Sequence, residues 1–100
     1  MTGIRYRPEA VDDLDDIWNY IAAYNPAAAD RYLNGLAASL ERLVSFPYSG
    51  RSRDELRLGL RSLGYRRHIT FYVISNDMVE IVRVQHASRD FNRIFAAPTP

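Results

Sequence analysis

A chain of 100 residues, of which 47% are hydrophobic and 25% charged, has the size and composition of one globular domain. It contains no cysteine, which excludes disulfides and thiolate sites, and its two histidines leave little for a zinc site. No stretch reaches the roughly 18 apolar residues of a membrane span, and Met1–Glu9 lacks the apolar core of a signal peptide, so we expect a cytoplasmic protein without membrane contact.

The net charge of +1 conceals an uneven distribution of charge. The first 50 residues hold four arginines and seven carboxylates, whereas the last 50 hold nine arginines and five carboxylates. Every basic residue is arginine, whose planar guanidinium binds carboxylate or phosphate through paired hydrogen bonds. A codon bias toward arginine explains the missing lysine equally well, but it leaves the placement unexplained. The second half is therefore predicted to meet an acidic partner or a nucleic acid.

The first elements in chain order are a short strand and a helix. Ile4-Arg5-Tyr6 alternates and stops before Pro8, which cannot continue a central strand. Apolar residues three and four positions apart over Glu9–Tyr24 predict a helix with one buried stripe. Its first turns carry carboxylates that suit the positive end of the helix dipole: Asp12, Asp13, Asp15 and Asp16. These side chains point to different sides of the helix, which disfavours a metal site.

A second helix is predicted to begin at Asn25-Pro26, a cap followed by a residue favoured at the first helical position. It runs to about Ser45 and ends at Phe46-Pro47. The tight corner makes the two helices an antiparallel hairpin. Gly35 costs helix stability, and we expect close packing against the first helix to compensate for it.

The second half predicts a loop over Ser52–Gly59 and then an antiparallel meander. Its strands are expected over Leu60–Leu63, Tyr65–Ile74 and Met78–Gln85, with the last turn at Asn76-Asp77. Ser88 is expected to cap a short final helix that carries Phe91, Ile94 and Phe95, and residues 96–100 to form a flexible tail.

This order predicts an α+β fold in a single domain, residues 1–100. A short N-terminal strand and a helical hairpin would pack on a three- to four-stranded, mainly antiparallel sheet, followed by a short C-terminal helix. The face of the sheet away from the hairpin is expected to be open and to suit a nucleic acid or an acidic protein. We expect this face to carry Arg66, His68 and Tyr72, with Arg61, Arg83 and His86 near its edges. An exposed strand face needs polar residues in any case, and Arg83 could instead pair with Glu80 or Asp90.

The chain lacks the parts of several enzyme classes, and no cofactor or metal is expected. It has no glycine-rich phosphate loop, no Gly-x-Ser-x-Gly elbow, no cysteine and no lysine. One reaction stays open, metal-free cleavage of RNA by its own 2′-hydroxyl, which needs a proton acceptor, a proton donor and a cation. His86 or His68 would accept the proton, and Arg61 or Arg83 would be the cation.

Short fragments over nearly the whole chain, in order, carry a family resemblance: Arg7-Pro8-Glu9-Ala10, Asp13-Leu14-Asp15-Asp16-Ile17, Tyr20-Ile21, Asn25-Pro26, Phe46-Pro47, Gly50-Arg51, Glu55-Leu56-Arg57, Gly59-Leu60-Arg61, Phe71-Tyr72, Ile81-Val82-Arg83-Val84-Gln85-His86 and Arg89-Asp90. Through them the chain resembles the ParE branch of the ParE/RelE superfamily, the toxin halves of bacterial toxin–antitoxin pairs. Two positions depart from the usual pattern. Arg7 replaces a common serine and so removes a helix cap worth about 1 kcal/mol, and Gln85 replaces a common leucine.

The resemblance implies a toxin held by a cognate ParD-like antitoxin, whose acidic and apolar C-terminal tail wraps it. Any contact with DNA would be made through the antitoxin. The ParE branch implies growth arrest by inhibition of DNA gyrase, without catalytic residues in the toxin. The RelE branch implies ribosome-dependent cleavage of messenger RNA, for which His86, Arg83 and Arg61 would be catalytic. A module that binds an antitoxin without being toxic is the third reading.

Three features favour the ParE branch: the long helical hairpin, the absence of the lysine-rich strand of RelE proteins, and the absence of their terminal catalytic tyrosine. We expect the antitoxin or the target to bind mainly cationic side chains of the second half. These are Arg57, Arg61, Arg66, His68, Tyr72, Arg83, His86 and Arg89.

Overall fold

The structure, a computed structural model, describes residues 3–96, so the predicted flexible tail lies outside the described residues except for Ala96. The elements in chain order are β1 (Gly3–Tyr6), α1 (Pro8–Ala22), α2 (Pro26–Ser45), β2 (Arg51–Ser52), β3 (Arg61–Tyr65), β4 (His68–Ser75), β5 (Met78–His86) and α3 (Phe91–Ile94). The sheet order is β1-β5-β4-β3-β2, parallel at β1–β5 and antiparallel elsewhere. The α+β prediction is confirmed, and the fifth strand arises because Ser52, predicted as loop, pairs with β3.

The helix starts follow local chemistry. The side chain of Asn25 accepts a hydrogen bond of 3.1 Å from the amide of Ala28, so the predicted cap of α2 is confirmed. Arg7 precedes α1 and makes no side-chain cap bond. Its guanidinium instead pairs with Glu80, as does that of Arg5, and these ion pairs fasten β1 and the start of α1 to β5.

The main core lies between the helical hairpin and the sheet. Leu36, Leu40 and Leu43 of α2 pack there with buried residues of β5, and Tyr72 of β4 is fully buried among them. The expectation that Tyr72 lies on an open face is therefore wrong. Strand alternation alone cannot say which face of β4 the helices cover.

A second cluster covers the opposite face of the sheet. Phe71 stacks edge-on against Phe91 and Phe95, at centroid distances of 4.9 and 4.7 Å, and Leu60 and Val82 join it. The predicted open face does not exist, because α3 and the segment before β3 lie over these apolar side chains. Burial of such a face is worth about 25 cal/mol per Å².

Three local expectations are corrected. The strand predicted over Tyr65–Ile74 is broken by a two-residue turn at Arg66-Arg67, where Arg66 has a φ of 52°. The side chain that caps α3 is Asp90, which accepts from the amide of Arg93, and not Ser88. Gly35 faces Tyr65 of β3 rather than α1: a Cβ at this position would overlap the tyrosine hydroxyl.

Candidate functional site

A cavity of about 830 Å³ opens between the helical hairpin and the end of β5, and we call it the hairpin cavity. β1 is short, and its last residue, Tyr6, pairs with Ile81, so the outer edge of β5 beyond Ile81 has no neighbouring strand. The space beside this edge is lined by Asp13, Asp16, Ile17, Tyr20, Ile21, Tyr32, Arg67, His68, Arg83, Val84, Gln85, His86 and Arg89. The α1 wall combines the carboxylates Asp13 and Asp16 with Ile17, Tyr20 and Ile21, and the opposite wall, from the strands and the segments beside them, is cationic.

An irregularity in the sheet directs side chains into this cavity. Phe71 pairs with Arg83 but the next residue, Tyr72, pairs with Ile81, so Val82 is an extra residue, as in a β-bulge. As a result Val82 packs on the α3 side while Val84 packs on the hairpin side, although they are two positions apart. Strict alternation would put both on one face.

Asp13 of α1 is the best-connected polar group of the cavity. Its carboxylate accepts hydrogen bonds from Arg83 Nε at 2.8 Å, Arg83 Nη2 at 3.0 Å and the amide of Val84 at 2.9 Å. The hydrogen bond to Asp13 raises the pKa of the Arg83 guanidinium further above its ordinary value. Asp13 thus satisfies the amide at the free edge of β5 and neutralises Arg83.

The sequence analysis did not predict Asp13 as the partner of Arg83. Neither Glu80 nor Asp90, the expected partners, binds Arg83: Glu80 is held by Arg5 and Arg7. A signal was present, because Asp13 lies three residues after Ala10 and four before Ile17, in the buried stripe of α1. A carboxylate in such a stripe needs a cation or several donors.

Two imidazoles meet at the mouth of the cavity. His68 and His86 are directly opposite in the β4–β5 register, with ring centroids 5.4 Å apart. His68 Nδ1 shares a 2.6 Å hydrogen bond with the hydroxyl of Tyr32, and burial, followed by the charge of His86, lowers the pKa of His68. His86 Nδ1 accepts from the amide of Ser88 at 3.1 Å, so its proton in the neutral ring is on Nε2. The pair can therefore offer donors and acceptors, in addition to charge.

Arg67 and Arg89 complete the cationic wall. Both are exposed, and neither guanidinium forms a hydrogen bond or an ion pair with any residue in the described range 3–96. The predicted site lacks Arg67 because the sequence pattern places this residue inside a strand, whereas the turn at Arg66-Arg67 brings it to the cavity. These two charges are free to bind an anionic partner.

Comparison with known proteins identifies the kind of protein that carries this cavity. A profile of the ParE toxin of type II toxin-antitoxin system, parDE, matches residues 4–91. The chain belongs to the ParE toxin family. It is 33% identical over 82 residues to Toxin ParE3 of Caulobacter vibrioides, a match that covers 81% of each chain. It is 32% identical over 81 residues to Toxin RelE2 of the same organism, which covers 80% of this chain and 89% of the relative.

The fold of this ParE-family toxin also has a solved counterpart. A chain of the structure titled Chromosomal ParDE TA system from P. aeruginosa matches with a TM-score of 0.73 at 21% identity, covering 86% of this chain and 96% of that chain. The predicted resemblance and fold class are confirmed. The chain is thus a toxin of the ParDE/RelE type of toxin–antitoxin system.

In this ParE-family toxin the structure gathers only half of the predicted site residues. His68, Arg83, His86 and Arg89 line the hairpin cavity. The remaining four lie elsewhere: Arg57 over the ring of Phe95, Arg61 against the turn after α2, Arg66 over the ring of Tyr65, and Tyr72 in the core.

The buried hydroxyl of Tyr72 holds the chain rather than facing a partner. It donates to the carbonyl of Pro47 at 2.7 Å and accepts from the amide of Gly50 at 3.0 Å. Arg61 Nη2 donates to the carbonyl of Gly50 at 2.7 Å in the same turn. The three residues considered for catalysis, Arg61, Arg83 and His86, therefore do not share one cavity: Arg61 lines a different one.

Residues 3–96 contain neither a candidate metal site nor a helix that could span a membrane. No group of three or more histidine, aspartate and glutamate side chains is placed to hold a metal ion there. Within the same range, every helix is too short or too polar to cross a membrane.

Proposed function

We propose that this ParE-family toxin arrests growth in the cytoplasm by inhibiting DNA gyrase and that it is neutralised by a cognate ParD-like antitoxin. The observation that carries the proposal is the ion pair of Arg83 with Asp13. Cleavage of RNA needs a cation that is already aimed at the position where negative charge develops on the phosphate. Arg83 is neutralised by a carboxylate, and Arg61 lies in another cavity, so neither cation is poised for that role. A toxin that inhibits another enzyme by binding to it needs no cation poised for catalysis.

The hairpin cavity is the proposed site of the antitoxin. Ile17, Tyr20 and Ile21 of its α1 wall can bury aliphatic side chains, and the free guanidinium groups of Arg67 and Arg89 can pair with carboxylates. This combination suits an acidic and apolar tail. Contact with DNA would then be made by the antitoxin and not by this chain.

The target is tested by adding the purified chain to gyrase supercoiling and DNA-cleavage assays. We expect loss of supercoiling and accumulation of cleaved DNA, and, on induction in cells, growth arrest with activation of a DNA-damage reporter. Arrest with a silent reporter and unaffected gyrase would refute gyrase as the target.

The antitoxin site is tested by Arg89→Ala, with Arg42→Ala on the exposed side of α2 as a matched control. We expect Arg89→Ala to weaken binding of the antitoxin encoded beside this chain by about tenfold, because one exposed charge pair across an interface contributes about 1 kcal/mol or somewhat more. Arg42→Ala should leave the affinity within about twofold, a change below about 0.5 kcal/mol. Equal affinity for wild type and both variants would remove the hairpin cavity from the antitoxin interface.

A second candidate, a ribosome-dependent endoribonuclease, is favoured by the pairing of His68 with His86. Two neighbouring imidazoles, one protonated on Nε2, could serve as acid and base, and Arg67 or Arg89 would have to supply the cation. This candidate predicts that His86→Ala abolishes cleavage of messenger RNA on ribosomes while antitoxin binding persists. The gyrase proposal predicts that the wild-type chain leaves that messenger RNA intact.

A further inference from the structure

Gln85 of β5 is a nearly buried polar residue whose side chain has no partner. Only 5% of the residue is exposed, and its side-chain amide forms no hydrogen bond with residues 3–96, the part of the chain that the structure describes. Both polar atoms of this amide keep some contact with solvent, unlike the fully enclosed Thr70 Oγ1. Gln85 also lines the hairpin cavity. Because buried polar side chains are nearly always hydrogen-bonded, this amide indicates a ligand in that cavity.

The register of the sheet places Gln85 at the free edge of β5. It lies opposite Ile69, which packs against the cluster beneath α3, so the two side chains leave their strands on the same face. Arg83 leaves β5 on that face too, opposite Phe71, yet its guanidinium bonds to Asp13 on the hairpin side. Its side chain passes round the edge because β1 ends before this part of β5. A side chain at this edge can therefore be reached from the hairpin cavity.

An occupant of the cavity would cut this amide off from solvent. In the free chain, solvent reaches the amide from the cavity, so the missing protein partner costs little. When the cavity is filled, an amide enclosed without a partner becomes strongly unfavourable. An occupant that fits must therefore hydrogen-bond to Gln85, and one that offers no such bond binds more weakly.

The chemistry of a primary amide indicates what the occupant presents to it. The NH2 group of Gln85 donates and its carbonyl accepts, so full pairing needs both an acceptor and a donor. A carboxylate would leave the carbonyl unpaired, and a cation would be repelled by Arg67 and Arg89 in the same cavity. Another amide group satisfies both needs, whether it belongs to the main chain or to an asparagine or glutamine side chain.

We propose that Gln85 is a contact residue of the antitoxin site, and that its side-chain amide hydrogen-bonds to an amide group of the antitoxin in the hairpin cavity. The inference rests on the proposed function, in which this cavity binds the antitoxin. Arg67 and Arg89 attract any acidic tail, whereas Gln85 disfavours a tail that cannot pair with it. Discrimination of this kind comes from the penalty on the wrong partner.

The test replaces Gln85 by leucine, which is similar in size and lacks the amide. Asn34→Leu makes the same kind of change at an exposed position of α2, outside the cavity, and is the matched control. Binding of the antitoxin encoded beside this chain is measured by titration calorimetry. We expect Gln85→Leu to weaken binding by about tenfold, because the antitoxin amide is then enclosed without its partner. Asn34→Leu should stay within about twofold of wild type.

Thermal unfolding of the free chain separates a contact residue from a structural one. The amide of Gln85 bonds to none of residues 3–96, so Gln85→Leu should leave Tm equal to that of wild type or raise it. A structural role would lower Tm together with the affinity. That result would overturn the inference.

The source of the partner amide is found by combining Gln85→Leu with antitoxin variants in which each asparagine or glutamine is replaced by alanine. If one variant removes the additional loss caused by Gln85→Leu, that side chain is the partner. If the loss persists with every variant, the partner is a main-chain peptide group.

The inference and the proposed function fail in different ways. Unchanged affinity of Gln85→Leu, together with a loss for Arg89→Ala, would overturn the role of Gln85 and leave the hairpin cavity as the antitoxin site. Unchanged affinity of both variants would overturn both assignments. A loss in both variants while wild type leaves gyrase unaffected would support the role of Gln85 and refute only the proposed target.

Discussion

Replacement of Asp13 by asparagine removes the charge that joins α1 to β5 while keeping the shape of the side chain. The carboxylate is only 10% exposed and accepts three hydrogen bonds, two of them from the guanidinium of Arg83. Removing one partner of a buried ion pair costs about 3–5 kcal/mol. The Arg83 side chain is 31% exposed, so water replaces part of the lost interaction. We therefore expect a loss of about 2–3 kcal/mol in the free energy of unfolding.

The measurement is urea unfolding of the purified chain, with Asp12→Asn as the control. Asp12 is the exposed neighbour of Asp13 on the same helix, so the control carries the same change of charge, and it should shift stability by less than about 0.5 kcal/mol. In a domain of this size the Asp13→Asn loss corresponds to a fall in Tm of about 10–20 °C.

A double-mutant cycle with Arg83→Gln isolates the pair. If Asp13 and Arg83 act together, the double variant should lose clearly less than the sum of the single losses, with a coupling of at least about 1 kcal/mol. Equal stabilities of Asp13→Asn and Asp12→Asn, or strictly additive losses in the cycle, would refute the assignment of Asp13 as the link between α1 and β5.

Three further predictions concern stability. Gly35→Ala should lower the free energy of unfolding by about 1–2 kcal/mol, because the new Cβ overlaps the Tyr65 hydroxyl. In a Tyr65→Ala background the same substitution should instead raise the free energy of unfolding by up to about 1 kcal/mol, through helix propensity. A loss of stability in both backgrounds would contradict this cause. Tyr72→Phe removes two buried hydrogen bonds and should cost about 1–3 kcal/mol in urea unfolding, against almost nothing for Tyr24→Phe at an exposed position. The pKa of His68 is lowered in the folded chain from its ordinary value of 6.5, so the unfolded chain binds the proton more readily, and the free energy of unfolding should fall as the pH falls below about 6.5. His68→Gln should weaken this pH dependence between about pH 7 and pH 5. An unchanged pH dependence in the variant would exclude His68 as its origin.

The sequence by itself determined the elements whose causes are local. Asn25 caps α2 through its own side chain, and the turn at Asn76-Asp77 forms with positive φ at both residues, as short polar side chains permit. The apolar spacing of α1 and α2 likewise predicted their buried stripes, except that Trp18, expected in the stripe of α1, is exposed. Each of these features depends on residues that lie within a few positions of one another. The family resemblance likewise rests on short sequence fragments.

The failures were equally specific. The turn at Arg66-Arg67 contains no glycine, asparagine or proline, so no residue indicated it. Alternation along β4 separated Phe71 from Tyr72 correctly, but it could not say that the helices bury Tyr72 and that α3 buries Phe71. Packing against distant segments decides which face of a strand is covered, so the prediction of an open face was wrong.

The site itself was decided by tertiary structure. The sequence supplied its cationic character, yet Arg83 finds its partner in Asp13, 70 residues earlier, and His68 meets His86 only through the β4–β5 register. A bulge of one residue beside Phe71 sets which side chains of β5 reach the cavity. Contacts of this kind depend on strand register and on packing between remote segments, and neither can be predicted from residues that are neighbours in the chain.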